Sequence, residues 1–431
     1  MTPRIAFYGD DFTGATDTLA TATQGGLRAL LFLQPPTPER LAAAGELDCV
    51  GIAGAARSMM PDAMAEELKP VAACFVKLGA PVVHYKTCST FDSAPEIGNI
   101  AVATRLLVEA TGSRFVPIVG GQPNLGRYCV FGNLFAAAEQ GGPIFRIDRH
   151  PTMSRHPVTP MTEADLRVHL GRQGLVGIGA IPYTAYALAP DALDQRVTAA
   201  LVESGGPVLF DVSGVDDLAV VGRVIWQRAQ AGPVVAVGPS GVTQALCAHW
   251  QAETAAAPRS IAKAQGPVFV MAGSLSPVTR QQITAATGFA RIAVEPERLV
   301  REPAYVDDLV RRVASLLMAG HDALAHTTPL DCTQNGSNAS GLEIAQATGA
   351  FLARLLRVAP LRRFGVAGGD TSSWALRALD VWGLGYVGHL SPGVALCRIR
   401  ADDAALDGVE VMLKGGQMGP RDLFDLLRGE R

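Results

Sequence analysis

Short, uninterrupted apolar runs separated by longer amphipathic stretches constrain this chain more than any other feature. Arg4–Tyr8, Leu27–Leu33, Cys49–Ala53 and Pro81–Tyr85 read as strands. Thr13–Gln24, Asp62–Leu78 and Glu96–Glu109, lying between them, read as helices. Phe115–Val119, Val208–Val212 and Val234–Val237 are further strands. Strands that are apolar throughout, with no polar alternation, are covered on both faces. Strand–helix alternation at this pace predicts a parallel α/β sheet.

The pattern breaks at Gln251–Gly266, which is small and polar, and then restarts. Val268–Ala272, Arg291–Val294, Ala323–Thr327 and Arg363–Ala367 read as strands, with helices at Pro277–Thr287, Val306–Met318, Gly341–Val358 and Thr371–Leu379. Gly385–Leu390, Val394–Ile399 and Glu410–Leu413 read as three consecutive strands. The expectation is two α/β domains, 1–252 and 267–431, joined by a linker at 253–266. Each is built on a mostly parallel sheet flanked by helices, with a ligand cleft between them. Gly120–Thr162 is rich in Gly, Pro, Asn, Arg and His, and too long for an ordinary connection. Such segments are usually functional or disordered.

Composition narrows the class. Hydrophobic residues make up 48% and charged residues 18%, which excludes a disordered chain. The net charge of −3 predicts neither a nucleic-acid partner nor attraction to an anionic membrane. Seven scattered cysteines with no C-x-x-C argue against a disulfide framework or structural zinc. The start MTPRIAFYGDD lacks the marks of a signal peptide, and no apolar run is long enough for a membrane helix. These features predict a cytoplasmic, soluble protein. Only five of the 37 basic residues are lysine: Lys69, Lys77, Lys86, Lys263 and Lys414.

Several strand exits carry chemistry. Ile5–Ala15 runs from a strand into Asp10 and Asp11, then a turn and a helix. In an open parallel sheet this is where ligands bind. Either Asp could accept a proton from a substrate hydroxyl; the bland alternative is that one of them caps the helix. At His84–Ser93 another strand ends in Lys86, Ser89, Thr90 and Asp92, a set suited to an anionic sugar acid. Arg57 follows a third strand and could fork a carboxylate, unless it is an ordinary surface arginine. Asn124, Arg127, Arg146, Asp148, Arg149, His150, Arg155 and His156 form the densest positive cluster, which could close over an anion. No zinc-type spacing accompanies its histidines, and no metal ligands are identified.

The second half offers glycine-rich turns before helices. Ala272–Thr279 supplies Gly273, Ser274 and Ser276; Ala367–Ser372 supplies Gly368, Gly369, Asp370 and Thr371; Leu413–Gly419 supplies Lys414, Gly415 and Gly416. Each alone is more often a helix cap than a phosphate site. Three in one domain point to nucleotide phosphates. Neither G-x-x-x-x-G-K-[ST] nor a strand-following G-x-G-x-x-G is present, so this is no P-loop protein and the dinucleotide reading is weak. A substrate domain paired with a nucleotide domain fits a kinase, since phosphoryl transfer needs positioning, charge neutralisation and a base.

Taken together the motifs resemble the four-carbon acid sugar kinase family over nearly the whole chain. The matching stretches are GDDFTGATD (Gly9–Asp17), ARS (Ala56–Ser58), YKTCSTFDS (Tyr85–Ser93), GNI (Gly98–Ile100), HPVTPMT (His156–Thr162), GPSG (Gly238–Gly241), GSLSPVTRQQ (Gly273–Gln282), AGGDTS (Ala367–Ser372), SPGV (Ser391–Val394) and LKGGQMG (Leu413–Gly419). The resemblance implies a sugar-acid-binding N-terminal domain, a nucleotide-binding C-terminal domain and phosphorylation of threonate, erythronate or 3-oxo-tetronate by ATP. It carries ATP contacts onto Ser274, Gly368 and Gly416. The loop after Tyr85 looks closest to the 3-oxo-tetronate branch. Asp370 stands where the family has Glu, Gly415 and Met418 depart from KSGNFG, and Asn124-Leu125-Gly126-Arg127 departs from Asn-Gly-Arg.

On this reading the terminal hydroxyl of the acid is phosphorylated, with Asp11 as preferred base and Asp10 a close second. Arg57 and Lys86 hold the anionic end, and Mg²⁺ accompanies ATP. A homodimer is compatible with the sequence. The rivals are a dehydrogenase or aldolase of sugar acids and a two-domain sugar-acid-binding protein.

Overall fold

The computed structural model describes residues 2–139, 141–156, 158–250, 261–327 and 339–429. The chain forms two compact units, Met1–Ala257 and Pro258–Arg431. Residues 253–260 of the expected linker lie outside the described residues.

The N-terminal unit has strands β1 (Ile5–Gly9), β2 (Ala29–Phe32), β3 (Cys49–Ala53), β4 (Val82–Lys86) and β5 (Val116–Val119). A small antiparallel sheet follows, β6 (Arg127–Val130), β7 (Asn133–Ala137) and β8 (Ile144–Arg146). Then β9 (Gly179–Ile181), β10 (Pro207–Phe210) and β11 (Val234–Gly238) complete the main sheet. Its order is β2-β3-β1-β4-β11-β5-β10-β9, parallel throughout. Every residue of β1, β3, β4 and β11 is buried, as their apolar sequences require. Ala6, Tyr8, Val83 and Tyr85 share one core with Met64, Leu68 and Phe75 of helix Pro61–Leu78 and Leu107 of helix Ile100–Thr111.

The C-terminal unit has β12 (Val268–Ala272), β13 (Ala290–Ala293), β14 (Ala323–His326), β15 (Arg363–Ala367), β16 (Gly383–Ser391), β17 (Val394–Arg400) and β18 (Glu410–Lys414). The run β13-β14-β12-β15-β18 is parallel. β17 pairs antiparallel with β18, and β16 with β17.

Both units therefore rest on mostly parallel sheets flanked by helices, and they share one strand order. After β1 the chain moves outward to β2, returns through β3, and resumes as β4 on the other side of β1. After β12 it moves to β13, returns through β14, and resumes as β15 on the other side of β12. Each unit thus has a topological switch point, between β1 and β4 and between β12 and β15. At such a point loops diverge at the carboxyl ends of the strands and leave a crevice. No sequence repeat accompanies the shared order.

Gly120–Thr162 departs most from expectation. It carries β6 to β8 and three short 3₁₀ turns. Helices Pro190–Ser204 and Asp216–Ala229 are also absent from the pattern read in sequence. The first buries only Leu193 and Val197, too little apolar face to announce itself.

Candidate active site

The N-terminal switch point gathers four ionisable side chains. Asp10 and Asp11 leave β1, Lys86 ends β4, and Arg57 sits in the short turn Ala56–Ser58 beyond β3. Backbone bonds bring the exits together: Asp10 N–H donates to the Lys86 carbonyl (3.0 Å) and Arg57 N–H to the Asp10 carbonyl (3.1 Å).

Asp11 is fully engaged. It caps helix Phe12–Gln24, its Oδ1 accepting from Gly14 N–H at 3.0 Å. Its Oδ2 accepts from the Thr13 hydroxyl and from Arg57 Nη2, the latter at 2.8 Å. Lys86 Nζ lies 3.8 Å from Oδ1. The helix start leaves no spare room, since a Cβ on Gly14 would fall 1.8 Å from Lys86 Nζ. Burial works against the charge of Asp11, but Arg57, Lys86 and these hydrogen bonds outweigh it and lower its pKa to about 2. Burial opposes Arg57 as well, yet Asp11 and then Asp92 hold its guanidinium charged well above its ordinary value.

Asp10 differs, although it is equally buried. Its Oδ2 accepts from Cys88 N–H at 3.3 Å, while Oδ1 is buried with no hydrogen-bond partner. Burial is the dominant influence, and it raises Asp10 to about 7 against the pull of Lys86 and Arg57. Two adjacent carboxylates thus separate into a fixed anion and a group that titrates near neutrality. Tyr85 faces the same side of the sheet; its hydroxyl is also buried and unpartnered.

The Cys88–Ser93 loop follows. Ser89 is half-buried, and buried Asp92 accepts from the Thr90 hydroxyl at 2.8 Å. Phe91 is fully buried at φ 54°, a left-handed conformation that costs a bulky residue free energy. What holds it is a clamp from distant sequence. The Phe91 carbonyl accepts from the Ser93 hydroxyl at 2.8 Å and lies 3.0 Å from His169 Nε2. Gln173 Nε2 donates to Ser93 Oγ at 2.7 Å, and Gln173 Oε1 accepts from Ile100 N–H at 2.8 Å. Sequence reading gave His169 and Gln173 no role, because nothing local ties a helix face to a loop 76 residues away.

The positive cluster of residues 124–156 does not converge. Arg146 forks Asp148 at 2.7 and 2.6 Å, and exposed Arg149 lies 3.6 Å from the same carboxylate. His150 and His156 turn Nδ1 toward nearby backbone N–H groups. Asn124 and Arg155 are exposed. Arg127 and His150 turn inward: Arg127 Nη1 donates to the Leu125 and Ala137 carbonyls at 2.5 and 3.3 Å, and buried His150 has its Nε2 3.3 Å from the same Ala137 carbonyl.

In the C-terminal unit the three turns meet at their switch point. The Ala367 carbonyl accepts from Gly273 and Ser274 N–H, and the Lys414 carbonyl from Gly368 N–H. A Cβ on Gly273 would lie 2.3 Å from Thr371 Oγ1, and one on Gly416 would lie 2.4 Å from Ser274 Oγ. Gly368 has φ 131°, open only to glycine. Ser276 caps helix Pro277–Ala285 through Val278 N–H at 3.2 Å. Gly369 opens helix Gly369–Arg377, with Asp370 exposed and Thr371 buried in its first turn. Gly415 accepts from Met418 N–H at 3.2 Å, closing the last turn.

Lys414, which the sequence places among the nucleotide-site residues, turns away from the open side of the turns. Its ammonium is fully buried and donates to Gln282 Oε1 (2.7 Å), Thr279 Oγ1 (2.8 Å) and the Gly416 carbonyl (3.2 Å). Burial lowers it to about 7. Gln282 Nε2 in turn donates to the Met418, Gly419 and Pro420 carbonyls at 2.9–3.1 Å. These bonds turn the loop's carbonyls inward. Thr279 and Gln282 stand three residues apart on one helix face, a spacing that could have flagged them. Among the described residues no group of three or more His, Cys, Asp or Glu side chains could hold a metal ion. No helix among them is long and apolar enough to cross a membrane.

These two sites define a two-domain protein with one buried cluster of carboxylates and cations and one glycine- and hydroxyl-lined cluster of turns. Residues 5–246 match the model of a sugar-binding N-terminal domain, and 269–424 that of a nucleotide-binding C-terminal domain. The chain belongs to the four-carbon acid sugar kinase family, whose members are phosphotransferases. It is 38% identical to a 3-oxo-isoapionate kinase of Paraburkholderia graminis, over 99% of this chain and 94% of that one. It is 30% identical to a 3-oxo-tetronate kinase of Burkholderia multivorans, over 98% and 96%. A Salmonella typhimurium protein of known structure shares the fold, with a TM-score of 0.79 at 24% identity over 100% of this chain and 99% of that one.

Proposed function

We propose that this protein uses ATP to phosphorylate a terminal hydroxyl of a 3-oxo sugar acid, and that Asp10 is the general base. One observation carries the assignment: Asp10 keeps a buried, unpartnered oxygen and titrates near 7, whereas Asp11 is locked as an anion. A base works best with a pKa near the working pH. This reverses the sequence preference for Asp11.

The acceptor hydroxyl gives its proton to Asp10. Its oxygen then bonds the transferred phosphorus as the bond to ADP breaks. Once Asp10 has taken the proton, Arg57 and Lys86 set two cations against the one remaining charge of that carboxylate pair, on Asp11, and the surplus stabilises negative charge gathering there. ATP supplies the phosphoryl group. The turns fit its phosphates through the Ser274, Ser276 and Thr371 hydroxyls, the backbone of Gly368, Gly369, Gly415 and Gly416, and the first turn of helix Gly369–Arg377. Mg²⁺ suits a donor set of nucleotide phosphates plus one carboxylate, and Asp370 is the carboxylate at those turns. Dependence on ATP places the work in the cytoplasm.

The 3-oxo class rests on the named relatives, which act on 3-oxo-isoapionate and 3-oxo-tetronate. The test is ADP release at saturating ATP with both acids, beside threonate and erythronate. Turnover of a 3-oxo acid, with a phosphate monoester in the product, supports the reading. Release with none of the four overturns it.

A further inference from the structure

We infer that Arg127 is the seat of the substrate's carboxylate, and so the residue that selects an acid over a neutral sugar; this rests on the sugar-acid kinase reading. Of the three cations assigned to the N-terminal site, Arg57 and Lys86 both pair with Asp11. Arg127 has no carboxylate within ion-pair distance among the described residues. It is half-buried, its Nε is fully buried with no hydrogen-bond partner, and its Nη1 meets only two backbone carbonyls. Burial pulls its pKa below the ordinary value, and the weaker influences of Cys88 and Asp92 do not offset this.

A guanidinium taken out of water without an anion is costly. It forks a carboxylate better than any other side chain. Its position fits the task. Asp92, whose charge acts on Arg127, belongs to the loop whose Cys88 N–H also holds Asp10. An acid lying along that loop puts its acceptor hydroxyl at Asp10 and its carboxylate at Arg127. The Phe91 clamp then fixes the spacing between the two ends.

Kinetics of Arg127→Gln and Arg127→Lys test this. The Gln variant should raise the KM of the 3-oxo acid about 10- to 150-fold, the range of a hydrogen bond to a charged group. Its kcat should move far less, and its KM for ATP should stay put, which also certifies the fold. Lys should recover part of the loss. An unchanged acid KM in the Gln variant overturns the carboxylate seat while leaving the kinase reading intact. If the wild type turns over no acid, the kinase reading fails instead. Calorimetric titration of the same acid then decides the seat: weaker binding to the Gln variant supports it, and equal binding overturns it.

Discussion

Between β1 and β4, two carboxylates and two cations crowd one buried spot. Between β12 and β15, the same strand order presents glycines and hydroxyls, and the nearby lysine is turned inward. The pair separates what backbone topology decides from what side chains decide. Topology places a crevice at each switch point. The charged exits of the first suit proton transfer and a small anion. The tight turns of the second suit phosphates approached by backbone N–H groups.

The sharpest break of this contrast is Asp10→Asn. Turnover should fall about 10²- to 10⁴-fold, the span of general-base catalysis, while calorimetry shows ATP binding unchanged. Wild-type kcat should rise with pH through about 7, since Asp10 must be ionised to act. Stability should move the other way. A carboxyl whose folded pKa is raised contributes stability fully below pH 3.8 and loses it as pH rises through about 7. Thermal unfolding should therefore favour the Asn variant at pH 8 and show little difference at pH 3.5.

At the other switch point, Gly368→Ala should raise the KM for ATP roughly 5- to 150-fold, the equivalent of about 1–3 kcal/mol of backbone strain. Its new Cβ would lie 2.9 Å from Thr371 Oγ1. The KM for the acid should not change, and a rise in both would break the division between the sites. Gln282→Ala should cost about 1–3 kcal/mol in a denaturation experiment by stripping buried partners. It removes an acceptor from Lys414 and a donor from three carbonyls. The smallest effect belongs to Tyr85→Phe. Removing an unpartnered buried hydroxyl should leave turnover within a few-fold and raise the melting temperature slightly.

The meeting of the candidate-site residues was legible in the sequence, because Asp10, Asp11, Lys86, Ser274, Gly368 and Gly416 all stand at or just beyond the ends of apolar strands. The division of labour was not legible there. Asp11 is an anion because Arg57, 46 residues away, reaches its Oδ2. Lys414 is a brace because Thr279 and Gln282, 135 and 132 residues away, accept its bonds. The bland reading that one Asp caps the helix holds for Asp11, which also pairs with the cations. The hairpin of β6 and β7 is not legible in the sequence because its strands are short and only partly buried and its turn uses Phe131 at φ 51° beside Gly132 at φ 81°. Phe is an uncommon choice there, where Asn or Gly signals such a turn.

On the proposed function, acid/base chemistry and nucleotide binding occupy separate switch points. Hydrogen–deuterium exchange on the full chain, with ATP alone and with the 3-oxo acid alone, tests it most directly. ATP should protect amides around 273–279, 368–372 and 414–419 and leave 9–17 and 84–93 unchanged, with the acid giving the reverse. Protection of 9–17 and 84–93 by ATP alone, without the C-terminal turns, would contradict it.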